Sequence, residues 1–259
     1  TFKIWPSLFL TNLTMVSPLF GRGFVDGVYW TLVYEISFYS AVFCILLMGY
    51  QKKLVQIFIL WPYLQLFAWY TGYSHLPFLG NYYCFFSAGA LFAILLNDKS
   101  KRTWLSLCIA GFLCLSFSAG NAESQSENGF SYSPFIIAGI ITSFFAIFLS
   151  LFIKRVSDIK LVGAKLLGAL TYPIYLIHAH FGYMVLNKFA QEENKIMVYL
   201  FLFFIVIGTA YFIHIVVEVK FKNFWRSLFH KVINFVILPL EGKINDYFDS
   251  QNLKGRINK

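Results

Sequence analysis

Seven apolar stretches, at about residues 28–49, 54–70, 79–96, 103–119, 134–153, 166–186 and 196–218, alternate with short polar segments along the chain. Each approaches the ~20 residues an α-helix needs to cross a hydrocarbon core of roughly 30 Å. They are too long and too continuous for strands, and no ten-residue alternation marks a membrane β-barrel. The pattern predicts an all-α fold: a polytopic transmembrane helical bundle of about seven spans. After Glu218 it changes. Phe221, Phe224, Trp225, Leu228 and Phe229 recur at helical spacing, with Lys222, Arg226, His230 and Lys231 on the other face. Such a helix lies in the cytoplasmic interface rather than crossing. Three segments result: an exterior N-terminal segment 1–27, a transmembrane domain 28–218, and a basic cytoplasmic tail 219–259 carrying the amphipathic helix.

Composition sharpens this picture. The 259 residues are 58% hydrophobic and only 13% charged, against about 25% charged in soluble domains. Too little polar side chain remains to cover a water-facing surface. That excludes an ordinary cytosolic enzyme, a disordered tail and a secreted disulfide scaffold, and it makes the lipid bilayer a partner. A net charge of +9 would suggest nucleic acid in a soluble chain. Here the basic residues sort by side instead. Seventeen of the 21 Lys and Arg residues fall in alternate connections and the tail, while Lys3, Arg22, Lys188 and Lys195 fall opposite, where loop 120–133 is acidic. The excess places the C-terminus in the cytoplasm and the N-terminus outside, with no nucleic-acid partner expected. Cys44, Cys84, Cys108 and Cys114 all lie in apolar stretches without a C-x-x-C pair or metal-ligand spacing, so they read as buried packing residues and no metal is expected. No small-residue cleavage site follows Lys3 and Trp5-Pro6, and no internal repeat suggests an inverted-repeat transporter.

Ionisable residues inside spans are costly and draw attention to function. Glu35 lies about 10 Å below the outer end of the first span at ~1.5 Å per residue. Trp30, Thr31, Tyr34 and Tyr39 surround it with hydrogen-bonding groups. It is either a functional carboxylate or one paired structurally with another helix. His178 sits mid-way along the sixth span and shares a helix face with Thr171, Tyr175 and Gly182, beside Tyr172. Pro173 deprives the Ala169 carbonyl of its usual donor, which predicts a local bend or an inserted water. His180 points away and reads as structural. His214 and Glu218, four apart, read as a local pair or a headgroup anchor. Asn12-Leu13-Thr14 has the form of a glycosylation acceptor. No phosphate-binding glycine loop, nucleophile elbow or H-E-x-x-H motif occurs.

Two segments carry a resemblance. Val25-Asp26-Gly27-Val28-Tyr29-Trp30-Thr31-Leu32-Val33-Tyr34-Glu35-Ile36-Ser37-Phe38-Tyr39 resembles the W-[ST]-L-x-x-E-x-x-F-Y signature of the acyltransferase 3 family of membrane O-acyltransferases. Leu167-Gly168-Ala169-Leu170-Thr171-Tyr172-Pro173-Ile174-Tyr175-Leu176-Ile177-His178 is similar to that family's G-x-x-[ST]-Y-P-I-Y-L-x-H segment, about 140 residues on. Val217-Glu218 resembles its closing E-x-P, with Lys220 in place of the proline. The resemblance covers residues 7–230. It implies a fold of about ten spans, of which about seven are here, in the bacterial inner (plasma) membrane. It also implies transfer of an acyl group, usually acetyl from acetyl-CoA as co-substrate, to a hydroxyl of a cell-envelope glycan such as a polysaccharide. Glu35 and His178 are then the catalytic candidates, and Trp30, Tyr34, Tyr172 and Tyr175 the substrate-binding ones. Acyl transfer needs a base for the hydroxyl proton and donors for the oxyanion.

The family's His in its first span and its Arg-x-x-Arg pair have no counterpart here. The expectation is the C-terminal part of a longer enzyme. A permease or flippase-like protein, or an inactive remnant of the acyltransferase, is the alternative.

Overall fold

The computed structural model describes residues 6–127 and 132–239, and within them every regular element is helical. In chain order these are α1 (Pro6–Leu13), α2 (Trp30–Leu47), α3 (Leu54–Tyr70), α4 (Tyr83–Leu95), α5 (Lys101–Glu127), α6 (Pro134–Ser150), α7 (Lys154–Ser157), α8 (Ala164–Phe189), α9 (Lys195–Ile213) and α10 (Lys222–Val232). Each of the seven apolar stretches contains one of them. The last part of the polar tail expected at 219–259 lies outside the described residues, as does segment 128–131 of the acidic loop.

Length and apolarity together single out three helical segments able to cross a membrane: Gly27–Leu47, Lys101–Ser124 and Lys195–Lys220. The physical reason the other stretches fall short differs between them. In stretch 79–96 the first residues are spent on a turn, and the 13 residues of α4 reach only about 20 Å. Helix α6, with 17 residues, is also short. Helix α8 is long enough at 26 residues, but Thr171, Tyr172, His178 and His180 dilute its apolar character. Only 6% of the apolar window in Gly27–Leu47 and 11% of that in Lys195–Lys220 is buried. An apolar side-chain surface over internally satisfied backbone suits hydrocarbon.

The chain divides into two compact units, and the division falls within α2. One comprises residues 38–159. Its core is the seam of α4 and α5, where Ala88, Leu91, Leu95, Ala110 and Leu113 are buried. Small residues allow close approach: a Cβ on Gly111 would stand 3.2 Å from the Phe145 ring. Helix α5 starts at Lys101 because Ser100 caps it, its Oγ accepting from the Thr103 backbone N–H at 3.3 Å. The Ser106 hydroxyl lies 2.9 Å from the Ile59 carbonyl of α3 and 2.9 Å from Arg102 O in its own helix. Cys84 and Cys114 are buried in this core as expected. Cys44 and Cys108 instead face outward, because they sit on helix faces no neighbour covers, and all four are free thiols.

The other unit comprises residues 1–37 and 160–259. Helices α8 and α9 pack side by side, Gly182 lying against Leu202, with Leu170, Val206 and Ala210 buried. Pro173 does not break α8, which runs through it. Beyond α9 the chain continues as a π-helical turn, His214–Lys220. There His214 Nδ1 meets Glu218 Oε2 at 2.6 Å, the local pair expected. The indole N–H of Trp225 donates to Val217 O at 2.9 Å, tying α10 to that turn. All of Phe221, Phe224, Trp225, Leu228 and Phe229 are exposed, the unpaired apolar stripe of an amphipathic helix.

Candidate functional site

Two side chains shape the approach to α2. Asn12, 6% exposed, donates through Nδ2 to Leu8 O at 2.8 Å and Gly23 O at 3.1 Å, and its Oδ1 accepts from Val25 N–H at 2.9 Å. Ser17, fully buried, donates to Gly23 O at 3.0 Å. The loop between α1 and α2 is therefore closed on itself. Asn12 is thus no glycosylation acceptor in the folded chain, since its amide nitrogen is buried and engaged.

Asp26 comes next and is 7% exposed. Its Oδ1 accepts from Val28 N–H at 3.0 Å, capping the helical turn Gly27–Tyr29 that leads into α2. Its Oδ2 accepts from the backbone N–H of His180 in α8 at 3.3 Å. One carboxylate thus joins the entry of α2 to the middle of α8.

Tyr175 makes the second joint. Its phenol and Thr31 Oγ1 each lie 3.0 Å from Val28 O, and the two hydroxyls are hydrogen-bonded to each other, so one of them donates to the carbonyl and the other donates to its fellow hydroxyl. Tyr172, one turn before Tyr175 and exposed, lies within electrostatic range of the Glu35 carboxylate and of Tyr29. The two sequence segments, separated by about 140 residues, therefore meet.

The six candidates are placed as follows. Glu35 is half-buried on α2, and among the described residues no side chain hydrogen-bonds to it. Trp30 and Tyr34 form an edge-to-face ring pair on α2, centroids 6.0 Å apart. His178 is exposed on α8, its ring 5.8 Å from that of Tyr175. Its Nδ1 lies 2.9 Å from Tyr175 O and 3.2 Å from Ile174 O. Carbonyl oxygens only accept, so Nδ1 is a donor, and in the neutral ring the lone pair is on Nε2. Tyr175 differs from the others because its phenol is engaged by Thr31 and the Val28 carbonyl. Glu35, Tyr172 and Tyr175 are brought to one region with Asp26, which reasoning on spans passed over. Its signal was available: an Asp-Gly pair immediately before a helix is a capping pattern.

Comparison with known proteins identifies a family. The sequence model of a family described as an acyltransferase domain matches residues 2–215. No curated protein and no solved structure matches the chain.

Proposed function

The chain belongs to the acyltransferase 3 family, and on that premise we propose that it is a membrane O-acyltransferase moving acetyl from acetyl-CoA to a hydroxyl of a cell-envelope carbohydrate. The observation that carries this is the joining of the two family segments through Asp26, Val28, Thr31, Tyr175 and the His180 amide. Beside that joint stand a carboxylate that no side chain hydrogen-bonds among the described residues, Glu35, and an imidazole, His178, whose Nε2 is the acceptor in the neutral ring. The acceptor hydroxyl gives its proton to one of these two, and its oxygen bonds to the thioester carbonyl carbon. The carbon–sulfur bond breaks as the proton passes on to the leaving thiolate. Tyr172 and the Trp30 indole N–H are the donors assigned to the oxyanion. Tyr34 buttresses Trp30, and Tyr175 positions rather than donates.

The donor's phosphates need cations. Among the described residues the Lys and Arg side chains are exposed, and single exposed cations hold a phosphate less selectively than a paired guanidinium.

The protein is assigned to the bacterial inner membrane with about seven crossings, three of them the long apolar segments and the rest shorter or more polar helices, with the N-terminus outside, the C-terminus inside and α10 in the cytoplasmic interface. Reporters fused after Lys259 and within 120–133 should read cytoplasm and exterior respectively, and the reverse at either position refutes the topology. For the chemistry, Glu35→Gln and His178→Ala in the active assembly are compared by O-acetylation of envelope glycan. The variant that removes the base should lose about a hundredfold or more at normal membrane abundance. Near-wild-type transfer by both refutes the assignment.

A further inference from the structure

Helix α10, Lys222–Val232, follows on the π-helical turn that ends α9, and every one of its residues is exposed. A helix of 11 residues is marginal in water by itself, so its stability calls for a partner. At about 100° per residue, Phe224, Trp225, Leu228, Phe229 and Val232 fill an arc of about 140° around it. The Trp225 ring belongs to this arc, and its one polar group is already satisfied, the indole N–H donating to Val217 O at 2.9 Å. The whole arc can therefore enter an apolar layer without burying an unmet donor.

The cations follow from the same arithmetic. Lys222 and Arg226 fall just beyond one border of the arc, Lys231 just beyond the other, and His230 opposite its centre. With the arc immersed, the stems of the three cations lie along its edges and their charged heads reach the depth of lipid phosphates. Among the described residues none of the three is paired with a carboxylate. No Asp or Glu occurs from Val219 to Leu240, and Glu218, just before, is held by His214 at 2.6 Å. The helix thus presents charge of one sign around an apolar stripe, with no counter-charge of its own.

That combination selects the partner. A zwitterionic bilayer takes the apolar arc but offers the cations no net counter-charge. A soluble polyanion meets the cations but leaves the apolar arc in water. A net negative lipid surface satisfies both. We propose that α10 recognises anionic phospholipid headgroups, with its apolar arc in the acyl layer and Lys222, Arg226 and Lys231 on the phosphates at either border. This goes beyond an interfacial position, which the apolar arc alone would give. It depends neither on the acyl-transfer chemistry assigned to Glu35 and His178 nor on the direction in which the chain crosses.

Hydrogen exchange of the full chain in nanodiscs reads docking at amides 222–232. The bilayers are phosphatidylcholine alone and an equal mixture of phosphatidylcholine and phosphatidylglycerol. Each cation near an anionic surface is worth about fivefold in the docking equilibrium. Phosphatidylglycerol should therefore slow exchange in α10 by up to about a hundredfold for the three together. The triple variant Lys222→Gln, Arg226→Gln and Lys231→Gln should abolish that difference, while amides of α4 and α5 exchange as in wild type and show the fold intact. The control variant Lys52→Gln, Lys53→Gln and Lys101→Gln removes as many charges elsewhere and should leave the difference in place. The proposal is overturned if wild-type α10 exchanges equally in the two bilayers. It is equally overturned if the control variant loses the difference as fully as the α10 variant, which would make it a matter of overall charge. Inorganic phosphate or polyglutamate, added to phosphatidylcholine nanodiscs, should not slow α10. Protection by either as strong as that by phosphatidylglycerol would overturn the proposal too, assigning the surface to a free anion or to an acidic protein.

Discussion

Asp26→Ala removes both bonds by which one carboxylate ties the start of α2 to α8. The capping bond to Val28 N–H, at 3.0 Å, is worth about 1 kcal/mol by analogy with other N-caps. The bond to the His180 N–H, at 3.3 Å, is long for a charge-assisted one, so about 1.5 kcal/mol, the low end, applies. Together these make about 2.5 kcal/mol, or roughly 60-fold in the equilibrium between joined and separated segments. The Thr31 and Tyr175 pair still binds Val28 O, so the joint loosens rather than dissolves. Hydrogen exchange of the full chain in nanodiscs reads this directly. Amides 27–31 and 178–182 should exchange faster by up to that factor, while those of α4 and α5 stay as in wild type. Asp26→Asn keeps an acceptor for Val28 N–H and should fall between the two. Unchanged exchange at both segments in Asp26→Ala would refute the idea that this carboxylate holds them together. An Asn variant as loose as the Ala variant would show that charge, not the acceptor geometry, does so.

Other perturbations test neighbouring parts of the structure. Tyr175→Phe keeps the ring but deletes the phenol engaged by Thr31 and the Val28 carbonyl. It should cost about 1 kcal/mol and lower the unfolding temperature by about 2–4 °C; no change would mean the bond adds nothing. Folded in membranes and only then exposed to a glycosylating extract, the chain should take up no glycan at Asn12, whose amide is engaged by Leu8 and Gly23 carbonyls. A glycosidase-sensitive mass shift that disappears in Thr14→Ala would contradict this. Leu91, fully buried in the seam of α4 and α5, should cost about 2–5 kcal/mol when cut to Ala. A loss under about 1 kcal/mol by thermal or denaturant unfolding would mean the seam collapses to refill the space.

Much of the fold was legible in local pattern. Runs of apolar residues flanked by polar connections predict helices because a backbone in an apolar setting must bond to itself. The helical elements follow those runs, and α10 follows the apolar stripe after Glu218. Element edges were legible only where a local signal exists, such as Ser100 before α5 or Pro134 at the first turn of α6. Stretch 79–96 is longer than its helix, and Gly80-Asn81 is the local turn signal that marks where its first residues are taken up.

The candidate site divides along the same line. Glu35 and His178 stood out because ionisable groups in apolar stretches are costly, and that judgement needs only neighbours in sequence. Asp26 did not, since a carboxylate in an exterior segment is ordinary until His180 is known to face it. The phenol of Tyr175 looked like a ligand donor, and only the fold shows it engaged by Thr31 and the Val28 carbonyl. Periodicity and charge act between residues a few positions apart, so the sequence by itself determined the helices and the polar residues embedded in them. Pairings such as Asp26 with His180 join positions more than 150 residues apart, and their energy exists only once the helices have packed.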